Sequence, residues 1–332
     1  MITIKDIAEK AGVAKSTVSN VLTGKKYVSP EITEKILKIC KENDYQQNFF
    51  ASSLSNKANT NIIGLFLEES ETKKFKVFYN ALIESIITTA SKSNINVLIY
   101  SGLNKDETAT KLKAGRSPID GAIILSPTID DSRINAINQN LIPYVLIGHP
   151  NKNTNVNYVD TDNVDLTKFI ASQMLKQGYK KICLINSKEK LVISKERNTG
   201  FIQAHEDVNS TDYVIYHSHS SSSIDGYRYA DVALENGADA FITASGTLAS
   251  GVYEACYKHN KEIGTEVAIF SLGYSFNESL KFSPSLSYAL QDYYQFGKIA
   301  TNILLNSING EKTLEQKMIK SDLKFNESFK IE

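Results

Sequence analysis

A chain of 332 residues is too long for one ordinary hydrophobic core, and a small N-terminal unit of about sixty residues followed by a two-lobed body is the natural expectation. Apolar residues at 42% and charged residues at 22% are those of a soluble globular protein, and no apolar run approaches the ~18 residues of a membrane span. Basic and acidic side chains balance at 37 each, which by itself argues neither for nucleic acid nor for an acidic substrate. The distribution says more, because residues 1–60 hold nine lysines against six acids. Cys40, Cys183 and Cys256 are odd in number and widely spaced, which suits a reducing cytoplasm and supplies neither a disulfide framework nor a metal cluster. No export signal is expected, because helix signals begin at residue 3, so a cytoplasmic protein is anticipated.

The first helix is announced by Thr3 followed by Asp6, a capping-box variant, with Ile2 placed to staple against Ile7. Ile4, Ile7, Ala8 and Ala11 form its apolar face, and Gly12 turns the chain into a second helix from about Lys15 to Thr23, with Val18, Val21 and Leu22 facing back. Ala14 stands where a side-chain oxygen normally caps, a loss of about 1 kcal/mol. Ser29 is the expected cap of a third helix and Pro30 its first residue, with Ile32, Ile36, Ile39 and Cys40 completing a three-helix core. In such a helix-turn-helix the second helix is polar and faces outward. Its first turns would present Lys15, Ser16 and Asn20 to base edges in a major groove and leave Thr17 and Ser19 near phosphates.

From Asn61 the pattern changes to short apolar runs alternating with helices. Residues 62–67, 95–100, 119–125 and 143–147 read as buried strands, with helices near 76–93, 106–114 and 131–140. A second series at 181–186, 213–217, 240–243 and 267–270 follows the same rhythm. Strands alternating with helices mean parallel, doubly wound sheets, and two series mean two lobes with a cleft between the carboxyl ends of their strands.

Several segments resemble the lactose/galactose repressor family. Thr3-Ile4-Lys5-Asp6-Ile7-Ala8, Ala11-Gly12-Val13, Ser16-Thr17-Val18-Ser19, Val28-Ser29, and Tyr45 followed by Asn48, Ala51 and Leu54 are similar to its headpiece and hinge. Asp120-Gly121-Ala122-Ile123-Ile124-Leu125, Ile142-Pro143, Val159-Asp160-Thr161-Asp162-Asn163, Arg197-Asn198-Thr199-Gly200-Phe201 and Pro284-Ser285-Leu286 resemble landmarks of its body. The resemblance implies an all-α headpiece over 1–46, a hinge over 47–60 and a periplasmic-binding-protein type I body over 61–332. The lobes would comprise about 61–160 with 292–322, and 161–291 with 323–332.

Carried over residue by residue, the likeness adds Thr3, Asn48, Leu54 and Lys57 to the DNA-contacting positions, Leu54 as an apolar wedge in the minor groove. It places Phe78, Tyr79, Arg197, Ser245, Gln291 and Tyr293 around a small-molecule effector. Aromatic faces with an arginine and an amide suit a sugar. The departures are Ala14 for a usual Ser, Gln47 for a usual Pro, Ser52 for a frequent Arg, Ser245-Gly246 for Asn-Asp, and Gly148 and Gly273 near positions of frequent aspartates. Ile147-Gly148-His149-Pro150, Val159-Asp160-Thr161-Asp162-Asn163 and Ser275-Phe276-Asn277-Glu278-Ser279 are reminiscent of the maltose-repressor branch.

His217-Ser218-His219 lacks a third nearby ligand and reads as a strand end entering a polar loop rather than a metal site. No Gly-x-Ser-x-Gly or other catalytic constellation is present, so neither enzymatic activity nor a cofactor is expected. The expectation is a homodimeric regulator, most often a repressor in this family, that binds palindromic operator DNA and carries a sugar effector in its cleft, with no membrane partner. The competing expectations are the same DNA-binding role under control of a partner protein or a non-sugar ligand, and a plain solute-binding protein.

Overall fold

The computed structural model describes residues 2–24, 26–43, 45, 59–67, 77–101, 107, 118–152, 155–274 and 282–331. The chain divides into two compact units, Met1–Thr60 and Asn61–Glu332.

In the first unit, α1 (Ile4–Ala11), α2 (Lys15–Thr23) and α3 (Pro30–Glu42) enclose a core of Ile7, Ala8, Ala11, Val18, Ile36 and Cys40. The entry to α1 is fixed by a reciprocal cap: the Thr3 N–H donates to Asp6 Oδ2 at 2.7 Å and the Asp6 N–H donates to Thr3 Oγ1 at 3.4 Å. The Thr3 N–H and, at 2.8 Å, the Thr3 hydroxyl both donate to Asp6 Oδ2 and hold the Asp6 carboxyl below its ordinary pKa. Gly12 ends α1 at φ 69°, a left-handed turn that only glycine adopts without strain, and Gly24 ends α2 in the same way at φ 66°. The Ser29 cap expected for α3 is corrected by the structure: Ser29 occupies the cap position, but its hydroxyl makes no cap bond. Pro30 presets the first helical φ and brings no N–H to satisfy, and the Thr33 N–H closes onto Ser29 O at 2.9 Å, so the helix starts on backbone alone.

The second unit contains two six-stranded sheets. The first is built from β1 (Ile62–Phe66), β2 (Asn96–Tyr100), β3 (Gly121–Leu125), β4 (Tyr144–Ile147), β5 (Asn157–Asp160) and β11 (Gln316–Met318), all parallel, in the order β11-β5-β4-β3-β1-β2. The second is built from β6 (Ile182–Asn186), β7 (Tyr213–His217), β8 (Ala240–Thr243), β9 (Ala268–Tyr274), β10 (Ser287–Leu290) and β12 (Asp322–Lys324), in the order β12-β10-β9-β8-β6-β7 with only β12 antiparallel. The chain therefore passes between the sheets after β5, after β10 and after β11, and Asp322, expected at the end of the first lobe, already belongs to the second sheet.

Each sheet is covered on both faces, which is why β1, β3 and β6 read as unbroken apolar runs, buried at every residue. Ile63, Leu65, Ile123 and Leu125 face α4 (Val77–Ser91) and α10 (Tyr293–Ile308), whereas Ile62, Phe66 and Ile124 face α5 (Ser132–Gln139). In the second sheet Ile182 and Leu184 meet α6 (Asn163–Lys176) and α7 (Val192–Glu206), and Cys183 and Ile185 meet α8 (Ser223–Glu235) and α9 (Gly246–Lys258). Four strands, β5, β10, β11 and β12, are only three or four residues long and were not anticipated as strands. The helix expected over 106–114 lies outside the described residues, Glu107 excepted.

The α6–α7 contact is close enough to exclude a methyl group at Gly200, where a Cβ would stand 2.1 Å from Val164 O. Gly200→Ala should therefore lower stability by about 1–3 kcal/mol, the usual cost of overpacking, in urea unfolding followed by circular dichroism. An unchanged midpoint would show that the two helices can separate freely.

Candidate nucleic-acid interface and inter-lobe site

Along α2 the apolar residues turn inward, with Val18 fully buried and Val21 and Leu22 against the same core. The opposite face carries Lys15 and Ser16, both exposed, and Thr17, Ser19 and Asn20, half-exposed. Three features at its start work against the isolated helix. Ala14 at the cap makes no side-chain bond, the first turn has no acid, and Lys15 puts a positive charge at the positive end of the helix dipole. Each costs a fraction of a kcal/mol to about 1 kcal/mol, and all three favour an anion docking on that end. The Asn20 backbone carbonyl accepts from the Gly24 N–H at 2.9 Å, and the Asn20 side chain is half-exposed.

A second set of polar groups gathers where the two sheets' lobes meet. Arg197 on α7 is 3% exposed and donates through Nη1 to Ala244 O at 3.4 Å, while its Nε has no partner. Asp160, at the end of β5, accepts from the Thr161 N–H at 2.8 Å through Oδ1, but Oδ2 is unpartnered. Thr161 Oγ1 and Asn163 Oδ1, also buried, are unpartnered too. Glu196, beside Arg197, is met by Asn163 Nδ2 at 3.1 Å and by His149 Nδ1 at 3.2 Å. Burial, then the charge of Glu196, pushes the Asp160 carboxyl up to about 8 against the Thr161 hydrogen bond and Arg197. Burial also raises Glu196, opposed by His149, Asn163 and Arg197. It lowers Arg197, whose charge Tyr293, Asp160 and Glu196 support.

Unpartnered buried donors and acceptors are rare because each costs about 1–3 kcal/mol, so several around one point indicate a place built for a ligand. With Asp160 protonated, an acid, an amide carbonyl, a hydroxyl and a guanidinium offer both donation and acceptance, which is what hydroxyl groups require.

Comparison with known proteins places both units. Residues 3–48 match the model of bacterial regulatory proteins of the lacI family, and residues 171–327 match a periplasmic binding protein-like domain. The HTH-type transcriptional regulator MalR of Streptococcus pneumoniae serotype 4 is 28% identical over 323 residues, covering 95% of each chain. Catabolite control protein A of Staphylococcus aureus is 23% identical over 332 residues, covering 96% of each. Among solved structures, a lac repressor dimer bound to operator and the anti-inducer ONPF aligns with a TM-score of 0.81 at 19% identity, over 99% of both chains. A complex of the transcriptional regulator CelR with cellobiose aligns at 0.72 and 22%, over 99% of this chain and 100% of that one.

The N-terminal unit thus matches the lacI family of bacterial regulatory proteins, and the chain is similar along nearly its whole length to regulators that carry the same two parts. The relatives named here are transcriptional regulators, and no described helix of this chain is long and apolar enough to cross a membrane.

The positions singled out in the sequence fare differently. Lys15, Ser16, Thr17, Ser19 and Asn20 lie on α2 as described, whereas Thr3 is the cap of α1, its hydroxyl donating to Asp6 Oδ2 at 2.8 Å. Asn48, Leu54 and Lys57 lie outside the described residues, and of Phe78 and Tyr79 only the backbone, in the first turn of α4, is described. Arg197, Ser245 and Tyr293 converge: Ala244, which accepts from Arg197, precedes Ser245, and a Cβ on Gly273 would lie 2.9 Å from Ala244 O and 4.0 Å from the Tyr293 hydroxyl. Ser245 is already used as the cap of α9, accepting from the Leu248 N–H at 3.4 Å, and Gln291 is half-buried at the crossover into α10. Gly148 cannot be an aspartate here, since its φ is 118° and a Cβ would stand 2.6 Å from Pro127 Cδ.

Sequence reasoning did not select Asp160, Asn163, Glu196 or His149. The available signs were that Asp160 and Asn163 lie in one family landmark and His149 in the Ile147-Gly148-His149-Pro150 segment. His217 Nε2 faces Asn198 Nδ2 at 3.0 Å, and the Ser218 hydroxyl donates to Asp225 Oδ2 at 2.6 Å, so that segment is a strand end running into a helix cap.

The burial of Asp160 has a thermodynamic sign. Its folded pKa lies above the ordinary 3.8, so the folded state binds the extra proton and its stability falls as pH rises from about 4 to about 8. Asp160→Asn should be more stable than the parent at pH 7.5, with the gap narrowing towards pH 5, in thermal unfolding at both pH values. A variant less stable by the same amount at both pH values would contradict this.

Proposed function

We propose that this regulator is a repressor that binds a palindromic operator as a homodimer and is controlled by a sugar held between its lobes. The observation that carries the reading is the first turn of α2: uncapped, free of acids and led by an exposed lysine, it spends helix stability on a surface that only a polyanion repays. Half-exposed Asn20 one turn further on supplies the bidentate amide suited to an adenine edge.

A twofold operator calls for a twofold protein. In support, α4 and the edge strand β2 present Ile83, Ile87 and Ile99 around a shallow groove with Asn80, Glu84 and Thr88, and Ile87, Leu98 and Ile99 are 45, 39 and 38% exposed. A second copy meeting the same strip would cover it. The sugar reading rests on the donors and acceptors of Asp160, Thr161, Asn163 and Arg197 and on the cellobiose bound by the CelR regulator. The commitment of Ser245 to its helix cap and the steric demand for glycine at 148 leave fewer groups for hydroxyls. They support a second reading, in which a non-sugar ligand or a partner protein is the signal.

Fluorescence anisotropy with a palindromic duplex from the protein's own promoter region tests the function. The parent should bind it at least ~10³-fold more tightly than random duplex. Lys15→Ala should lose affinity for both and reduce the salt dependence, while Asn20→Ala should lose about 1–3 kcal/mol on the palindrome alone. Addition of mono- and disaccharides should shift the palindrome curve. Equal binding to palindrome and random duplex contradicts the function, and a curve that no sugar moves favours the second reading of the effector.

A further inference from the structure

The two lobes of the body are fastened to each other by direct bonds. Beyond β3 the Val192 N–H donates to Pro127 O at 3.1 Å and the Ile129 N–H donates to Lys190 O at 2.9 Å, forming an antiparallel bridge between Thr128 of one lobe and Leu191 of the other. Asn151 Nδ2 donates to Ile129 O at 3.0 Å, and Lys195 Nζ from the opposite lobe donates to Asn151 Oδ1 at 3.2 Å. Close to this bridge in sequence, His149 follows β4 with Nδ1 3.2 Å from Glu196 Oε1 and 3.1 Å from Pro150 O. Both neighbours are acceptors, so Nδ1 carries a hydrogen. Glu196 Oε2 accepts from Asn163 Nδ2 at 3.1 Å, and that nitrogen lies 3.5 Å from Asp160 Oδ1. A carboxyl group of the second lobe thus joins an imidazole of the first to the crossover and to a second carboxyl group.

We propose that closure of the two lobes is linked to proton uptake through this clasp of His149, Glu196, Asn163 and Asp160. In the closed form two carboxyl groups share a water-poor space. Tyr158 of β5, Asp162 of the crossover, Arg197 of α7, Tyr293 of α10 and His149 face them. Arg197 is the permanent cation among these, and part of its donor capacity goes to Ala244 O. Keeping one carboxyl group protonated relieves the repulsion, whereas opening the lobes hydrates both groups and releases the proton. Burial and the Glu196 charge, which raise Asp160, give the sign: closure weakens as pH rises. For one linked proton the open-to-closed ratio changes by up to ~10-fold per pH unit between the ordinary carboxylate range and about 8. The backbone bridge carries no titratable atom and fixes where the lobes meet at any pH. This device does not depend on which ligand the cleft accepts.

The test uses the full chain without added ligand. Spin labels go on Gln139→Cys in α5 and Glu206→Cys in α7, both exposed positions, while the three native thiols are buried. Distance distributions are then recorded by dipolar spectroscopy at pH 5.5, 7.0 and 8.5. The parent should pass from a narrow closed population to a longer, broader one as pH rises. Glu196→Gln keeps the shape of the side chain without its charge and should flatten the response. Asp160→Asn should flatten it too, and His149→Gln should lower the closed fraction at pH 5.5. Circular dichroism of each variant establishes that it is folded. A parent distribution that does not move with pH overturns the proposal, as does a parent response that survives undiminished in both Glu196→Gln and Asp160→Asn.

Discussion

The first turn of α2 is the constraint on which the account depends. A helix of nine residues cannot sustain itself in water, so its stability is borrowed from packing, here through Val18, Val21 and Leu22. The small core of the unit is assembled by α1 and α3, whose own starts are well made: a reciprocal cap at Thr3 and Asp6, and a proline at the head of α3. With the scaffold secured there, α2 can carry a start that is poor on every local criterion. A helix end with no side-chain cap, no acid and a lysine is a liability in the free protein and an asset against phosphate.

The same logic governs the body on a larger scale. Each sheet is sealed on both faces by helices, and the close approaches at Gly200 and at the Gly226–Gly251 crossing, where a Cβ on Gly251 would stand 2.0 Å from Ser223 O, show how tightly the second lobe is packed. Against that background the unpartnered atoms of Asp160, Thr161, Asn163 and Arg197 are conspicuous, because four of the ten unpartnered buried side-chain atoms among the described residues belong to these neighbours and two of them are on ionisable groups. The Asp131–Arg133 pair, equally buried, is closed at 2.6 Å, and Arg133 also caps the carbonyls of Leu125 and Ser126. Polar groups left open beside polar groups fully closed mark a division of labour between the part of the molecule that holds and the part that binds.

Much of this was legible in the residues. The two strand series, the turn at Gly12 and the cap at Thr3 follow from periodicity and local chemistry that act within a few residues. β5, β10, β11 and β12 were not, since strands of three or four residues that mix polar with apolar side chains, such as Asn-Tyr-Val-Asp in β5 or Ser-Tyr-Ala-Leu in β10, carry no apolar run and form because a neighbouring strand offers its edge. Ser29 shows the complementary failure: the right residue type at the cap position, whose hydroxyl makes no cap bond while the Thr33 N–H closes onto its carbonyl. At the inter-lobe site Arg197 stood out by its motif. Glu196 and His149 did not, because their meaning comes from a contact between residues 47 positions apart in the chain, 3.2 Å apart in space, that no local pattern encodes. The glycine at 148, by contrast, looked like a lost aspartate and is a steric requirement set by Pro127.

Amide hydrogen exchange of α2, followed by NMR on the full chain with and without a palindromic duplex, tests the central claim most directly. The account predicts that the N–H groups of Lys15 and Ser16 become protected when the duplex is added, because phosphate takes the place of the missing cap, while the Thr17 N–H, already bonded to Ala14 O at 2.9 Å, and the amides within α3 change little. Exchange at residues 15 and 16 that stays the same in a saturated complex would mean that DNA docks elsewhere, and would contradict it.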